Sequence, residues 1–279
     1  MRLTPKVDAC TNFKLRSVAL TSSKVEANPA LWREVDNGNF QIVYASPEML
    51  MDPTKHFQCN TVKEHNKFKT NLVLIAIDEC HCLWCWERFR PEYRRLGDLR
   101  KIFIDIPFLY LSATIAPHVA SYIHEVLSLR WLTVLFSLSI RRDDINIVVV
   151  PFGGPHDITP LRRLVTESIH NLLNMPKTLI FLDGVETAQK INLELQREAS
   201  GHLHGVPTDV FIRTYWATID DDRKDETLKD LRSGRTRIVL CTDAFSLGVD
   251  IRDIDLVIQW DINEKLTIES LWQRIGRGS

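Results

Sequence analysis

Six short apolar runs, each bounded by polar or turn-forming residues, recur along the chain: Gln41–Ala45, Leu72–Ile77, Phe108–Leu111, Thr178–Leu182, Arg237–Cys241 and Leu256–Trp260. They are almost continuously apolar instead of alternating, the pattern of strands covered on both faces in a parallel sheet. Helical spacing fills the intervals. Leu161, Leu164, Val165, Ile169, Leu172 and Leu173 form one stripe; Val185, Ala188, Ile191 and Leu195 form another, behind a candidate N-cap at Asp183. A third helix is expected from about Asp222 to Arg232, ending near Gly234, with Asp220–Asp222 as its solvated, dipole-stabilised start. Strands alternating with helices imply right-handed βαβ units and a doubly wound α/β fold.

At 279 residues the chain is long enough for two such domains. The segment Ile140–Asp144 separates one strand–helix set from the next, so the expected domains are residues 1–142 and 143–279. A net charge of −1 excludes a global basic field as the means of holding nucleic acid and leaves only local patches. The six cysteines are scattered through a chain able to build its own core, which fits a reducing, intracellular location without a disulfide framework. No apolar run follows the N-terminal charges, so no secretory signal is read there. The most apolar stretch, Trp131–Ile140, is too short to span a bilayer, and no membrane role is expected.

The segment Leu72–His81 carries the first chemical signal. Its apolar run ends in Asp78–Glu79, placing two carboxylates at the carboxyl edge of a sheet, where open α/β folds bind ligands. Phosphoryl transfer uses such a pair: one carboxylate holds Mg²⁺ through its water shell, and the other orients or deprotonates the attacking water. Taken alone, an acidic pair at a strand end is more often a chance feature. Its company is more specific. Asp78-Glu79-Cys80-His81 matches the D-E-x-H box of superfamily 2 helicases, and Ser112-Ala113-Thr114 matches their S-A-T motif. Thr242 to Asp250 resembles the motif whose glycine and aspartate, here Gly248 and Asp250, approach nucleotide and nucleic acid. Gln273-Arg274-Ile275-Gly276-Arg277 looks like the Q-R-x-G-R motif.

Narrower features resemble the RecQ family of DNA helicases. After His81 the sequence CLWCWERFRPEY is similar to the family's aromatic-rich loop, with Trp86, Phe89, Arg90, Pro91 and Tyr93 matching. Tyr44–Leu50, containing Ser46 and Pro47, resembles Y-x-S-P-E-x-L, and AFSLGVD resembles A-F-G-M-G-I-D. The resemblance implies two RecA-like domains, the first truncated at its N-terminus, and a 3′–5′ DNA helicase driven by ATP and Mg²⁺. It further implies a DNA partner (single-stranded or forked duplex) and service in DNA repair and recombination. The location would be the nucleus in a eukaryote, or otherwise the cytoplasm or nucleoid. In this reading Asp78 holds Mg²⁺, Glu79 activates water, and His81 links them to Ser112, Ala113 and Thr114. Gly248, Asp250, Gln273, Arg274 and Arg277 would line the nucleotide cleft from the second domain. Trp86, Phe89, Arg90, Ser46 and Pro47 would meet nucleic acid, where each stacked base is worth about 1–3 kcal/mol.

Three plainer readings stand beside these. Trp84 has no counterpart in the family pattern and is expected to be core or partly buried. Cys80, His81, Cys82 and Cys85 have spacing that zinc could use, but no second ligand pair stands out. Arg94, Arg95, Arg100 and Lys101 could meet phosphates, though such charges usually form a solvated helix face. The sequence also departs from the family. No G-x-x-x-x-G-K-[ST] occurs, so no glycine-rich loop and lysine cradle the phosphates, and the final motif ends without its further arginine. The isolated chain is therefore expected to bind and hydrolyse ATP weakly. The alternative is an impaired helicase remnant that serves as a nucleic-acid or protein binding module.

Overall fold

A computed structural model describes residues 4–62, 66–85, 91–154, 157–167, 175–200, 203, 207–246, 249, 251, 253–264 and 266–278. The chain divides into two compact units, Arg2–Ile140 and Arg141–Ser279, the latter grouped with Met1.

In the N-terminal unit the order is α1 (Thr4–Asn12), β1 (Ser17–Leu20), α2 (Ser22–Ala27), α3 (Leu31–Asp36), β2 (Ile42–Ala45) and α4 (Pro47–Met51). A π-helical turn, Phe57–Thr61, precedes α5 (Lys67–Asn71) and β3 (Ile75–Ile77). Then come α6 (Cys82–Cys85), α7 (Pro91–Arg94), a 3-10 turn, α8 (Asp98–Ile102), β4 (Phe108–Tyr110) and α9 (Pro117–Val126). Its strands form two parallel pairs, β1–β2 and β3–β4. Ile75, Ile77, Phe108 and Tyr110 pack on a core that includes Trp32, Phe57, Leu99, Phe103 and Ile123. The alternate residues, Ala76 and Leu109, are exposed. Burial on both faces, expected from the apolar runs, does not hold for β3 and β4: the one described core of this unit lies on a single face. The run Leu72–Ile77 also pairs only from Ile75, and Val73 and Leu74 are exposed.

The C-terminal unit contains α10 (Thr159–Glu167), β5 (Thr178–Phe181), α11 (Val185–Ser200), α12 (Thr208–Phe211), β6 (Ile212–Tyr215) and α13 (Asp221–Ser233). It continues with β7 (Ile238–Cys241), α14 (Asp243–Ser246), β8 (Leu256–Gln259) and α15 (Ile268–Ile275). The strands form one parallel sheet in the order β6-β7-β5-β8. Here two-sided burial is complete for the central strands β5 and β7. Ile180, Ile212, Ile238 and Leu240 face one core with α10 and α11, while Leu179, Phe181, Tyr215, Val239 and Cys241 face another with α13 and α14. The α13 helix begins as its sequence requires, with Asp220 Oδ1 accepting from the Arg223 N–H at 2.9 Å. It ends at Gly234, whose φ of 78° is the left-handed conformation that favours glycine. Asp183, by contrast, is not the N-cap of α11. The helix starts at Val185 behind Gly184, and the Asp183 carboxylate is committed elsewhere. Ile169, Leu172 and Leu173, the end of the first expected stripe, lie outside the described residues.

Between Trp131 and Val150 the chain has no helix or strand, and most of its apolar side chains are exposed. Among the described residues no helix is long and apolar enough to cross a membrane.

The contrast between the sheets has a measurable consequence. Leu240 is 0% exposed and Leu109 is 42% exposed. Leu240→Ala should cost about 2–5 kcal/mol in urea unfolding, and Leu109→Ala less than about 1 kcal/mol.

Candidate nucleotide and nucleic-acid site

Two neighbouring parallel strands deliver the first half of the site. Beyond the paired residues Ile77 and Tyr110, Leu111 donates to the Ile77 carbonyl and Cys80 to the Leu111 carbonyl, both at 2.9 Å. The segments Asp78–His81 and Ser112–Thr114 therefore leave the same carboxyl edge side by side. Cys82, Leu83 and Trp84 then donate to the carbonyls of Glu79, Cys80 and His81, winding the chain into α6.

The hydrogen-bond partners fix a proton on Nδ1 of the buried His81. Ser112 Oγ donates to the Thr114 carbonyl at 2.7 Å, so it can only accept from His81 Nδ1, 2.8 Å away. His81 Nε2 faces Cys82 Sγ at 3.6 Å. One directed chain runs from His81 through Ser112 to the Thr114 backbone. Glu79 Oε2 lies 3.4 Å from the same Nδ1, and Glu79 itself has a φ of 51°. Ala113 is exposed and Thr114 buried.

The Asp78 carboxylate, 41% exposed, accepts from the Glu79 N–H at 3.0 Å and forms an ion pair with Lys6 of α1. This partner was not legible in the sequence, where Lys6 belongs to no motif. With Lys6 on this carboxylate, a hydrated divalent ion would take its place there only by displacing the ammonium. Tyr44, at the end of β2, shares a contact of 3.2 Å with Cys10. Burial, the Cys10 contact and Asp78 push its hydroxyl up to about 12, so it stays neutral. Ser46 and Pro47 are half-buried at the start of α4.

Trp84 is partly buried, within its expected range. It is 45% exposed, with its ring edge-on to those of His118 (5.4 Å) and Tyr122 (5.1 Å). Trp86, Phe89 and Arg90 lie outside the described residues. Several basic groups that follow them are engaged locally: Arg95 donates to the Met51 carbonyl, Arg100 contacts Tyr110 and the Phe108 ring, and Lys101 pairs with Asp98.

In the C-terminal unit Arg274 ties three strand ends together. Its Nε donates to Asp243 at 2.8 Å, Nη1 to Gln259 at 2.6 Å and Nη2 to Asp183 at 2.8 Å, over the Phe181 ring. Only 3% of it is exposed. Burial opposes its charge, but the hydrogen bonds and charges of Asp243 and Asp183 outweigh that and raise its pKa. All three of these guanidinium contacts are made within its own unit. Ser270 and Asn263 complete the cluster through Asp243 and Asp183. Arg277 donates to the carbonyls of Val249 and Ser246, and Gln273 is half-buried beside it in sequence. Gly248 and Asp250 lie outside the described residues. A cavity of about 430 Å³ opens at the carboxyl ends of β5 and β8, lined in part by Asp183, Thr187, Trp260, Asp261 and Glu264.

Carboxylates beside a D-E-x-H turn in one α/β unit, and an arginine helix packed on the strand ends of another, define the helicase motor class. Residues 6–122 match the DEAD/DEAH box helicase family, and residues 161–279 match the helicase conserved C-terminal domain. The two matches together cover most of the chain, which belongs to the superfamily 2 helicases and is similar to RecQ-family DNA helicases. It is 24% identical to ATP-dependent DNA helicase Q1 of Mus musculus, over 86% of this chain and 35% of the relative. It is 25% identical to ATP-dependent DNA helicase RecQ of Haemophilus influenzae, over 92% and 37%. The chain thus spans little more than a third of these relatives. Its fold is similar to S. cerevisiae Dbp5 bound to RNA and ADP BeF3, with a TM-score of 0.67 at 17% identity, over 95% of this chain and 61% of that one. It is also similar to the helicase MrfA bound to DNA and AMPPNP, with a TM-score of 0.66 at 19% identity, over 94% and 35%.

Two outcomes follow. Arg274→Ala strands the mostly buried Asp183 carboxylate and should cost about 3 kcal/mol or more in urea unfolding, with Asp243 contributing less because water screens it. Arg274→Lys should restore little, since one ammonium cannot span three acceptors. Burial pushes the Cys80 thiol from 9.0 up to about 11. Below the ordinary thiol range the proton is held in both states. As pH rises toward 11 the unfolded chain ionises first, and stability falls. Cys80→Ala should flatten that alkaline loss in denaturation measured from pH 8 to 11.

Proposed function

We propose that the chain is the motor portion of a DNA-stimulated ATPase that moves 3′ to 5′ along one strand and unwinds duplex DNA. The observation that carries this reading is the directed hydrogen-bond chain from His81 through Ser112 to Thr114, anchored beside Asp78 and Glu79. It joins the acidic turn mechanically to the segment that enters α9, so a proton or ligand change at one is felt at the other.

In this reading Asp78 holds Mg²⁺ through its waters, and Lys6 must leave the carboxylate, or move aside, for it to do so. Bound Mg²⁺ would neutralise charge on the phosphates. Glu79 accepts the proton of the attacking water, and His81 holds its direction. Gly248, Asp250, Gln273 and Arg277 serve the nucleotide from the C-terminal unit, with Arg274 positioning the helix that carries Gln273 and leads to Arg277. The DNA contacts are mostly to backbone phosphates and are salt-sensitive. A nuclear location and service in repair and recombination belong to the same reading. A second reading, a binding module without turnover, is favoured by one observation: Lys6 already neutralises Asp78.

Steady-state ATP hydrolysis with and without single-stranded DNA separates the two. The motor reading expects slow hydrolysis that DNA stimulates, and a loss of about 10²-fold or more in Glu79→Gln. DNA binding without any stimulated hydrolysis would establish the binding module instead.

A further inference from the structure

We infer that residues 133–140 are a self-association surface, through which two copies of this chain meet apolar face to apolar face about a twofold axis. The inference is independent of the function proposed above.

The sequence of this segment, TVLFSLSI, alternates. Val134, Phe136, Leu138 and Ile140 fall on one side of an extended chain, and Thr133, Leu135, Ser137 and Ser139 on the other. Such alternation marks a strand with one face laid on a core. Here the apolar side lies open. The segment is neither helix nor strand, and a turn closes each end: Thr133 donates to the Arg130 carbonyl at 2.9 Å and Ile145 to that of Arg142 at 3.4 Å. Phe136 and Leu138, at its middle, are both 89% exposed.

Two arguments identify the occupant. The first is area. From Trp131 to Ile140 seven large apolar side chains are exposed, together on the order of 1,000 Å² of surface. The largest apolar patch of a monomer is about 300–600 Å², whereas one side of a stable interface is about 800 Å². The second is symmetry and charge. The apolar positions are spaced evenly about Ser137, so a twofold axis there sets Phe136 against Leu138 of the second copy and Val134 against its Ile140. One patch then serves both copies, as a closed isologous contact requires. Residues 131–140 carry no charge, and Arg141 and Arg142 just beyond pair with Asp143 and Asp144 at 2.5 and 2.6 Å. A charged partner would gain no ion pair along the segment. A second copy needs none, because burial of apolar surface drives the contact.

The test is sedimentation equilibrium of the full 279-residue chain across the micromolar range, with hydroxyl-radical footprinting of the same samples. The expected result is a monomer–dimer equilibrium in which labelling of Phe136 and Leu138 falls as the dimer forms. Phe136→Lys and Leu138→Lys each place a charge in the contact and should weaken dimerisation about a hundredfold or more. Ser137→Lys, on the opposite face, should change it less than about threefold. A wild type that stays monomeric throughout overturns the inference and leaves the segment to a different chain. A dimer that Phe136→Lys and Leu138→Lys leave intact also overturns it, as does one that Ser137→Lys weakens equally. Growth into open-ended assemblies without a dimer plateau would overturn the twofold closure. Footprinting needs no substitution: a wild-type dimer whose Phe136 and Leu138 are labelled as strongly as in the monomer sinks the proposed contact even if a variant misfolds.

Discussion

The backbone hydrogen bond from Cys80 to the Leu111 carbonyl is the contact on which the N-terminal site depends. It continues the β3–β4 ladder beyond its last paired residues, so the two chains are still in register when they leave the sheet. Without that continuation, His81 and Ser112 would sit on independent turns thirty-one residues apart in sequence. With it, an imidazole and a hydroxyl meet at hydrogen-bond distance. Parallel pairing supplies this for a simple reason: both strands point their carboxyl ends the same way.

Arg274 performs the corresponding task in the C-terminal unit by side chain instead of backbone. The strands β5, β7 and β8 end in Asp183, Asp243 and Gln259, three acceptors that would otherwise be directed by their own loops. One planar guanidinium with donors in a fixed fork satisfies all three and seats α15 across them. Arg277, three residues on, takes its position from that seat. The two units thus use different means to the same end, which is to bring residues distant in sequence to the carboxyl edge of parallel strands.

Much of this was legible in the chain. The apolar runs gave six of the eight described strands, missing β1 and β6, whose sequences SVAL and IRTY do not stand out as apolar runs. The motifs gave the D-E-x-H turn and its neighbour Ser112 because spacing and residue type both matter there. What escaped was partnership. Nothing in the sequence says that Lys6 meets Asp78 across seventy-two residues, or that Asp183 spends its carboxylate on Arg274 instead of capping α11. Apolar character also could not distinguish one-sided from two-sided burial, because Ala76 and Leu109 are as apolar as Ile180 while only the last is enclosed. For Trp84, which has no counterpart in the family pattern, the sequence leaves core and partial burial both open, and the structure shows the partly buried case, with the rings of His118 and Tyr122 against it.

The positive φ of Glu79 carries a cost that selection cannot remove. A left-handed backbone at a residue with a Cβ is unfavourable by roughly 1–2 kcal/mol, and glycine, the usual remedy, would delete the carboxylate. The strain must be carried by the contacts on either side, the β3–β4 ladder before it and the first turn of α6 after it. Loosening either one lets the peptide relax and swings the carboxylate away from His81. The acid group is therefore held like a latch under tension, set by its neighbours and released when they part.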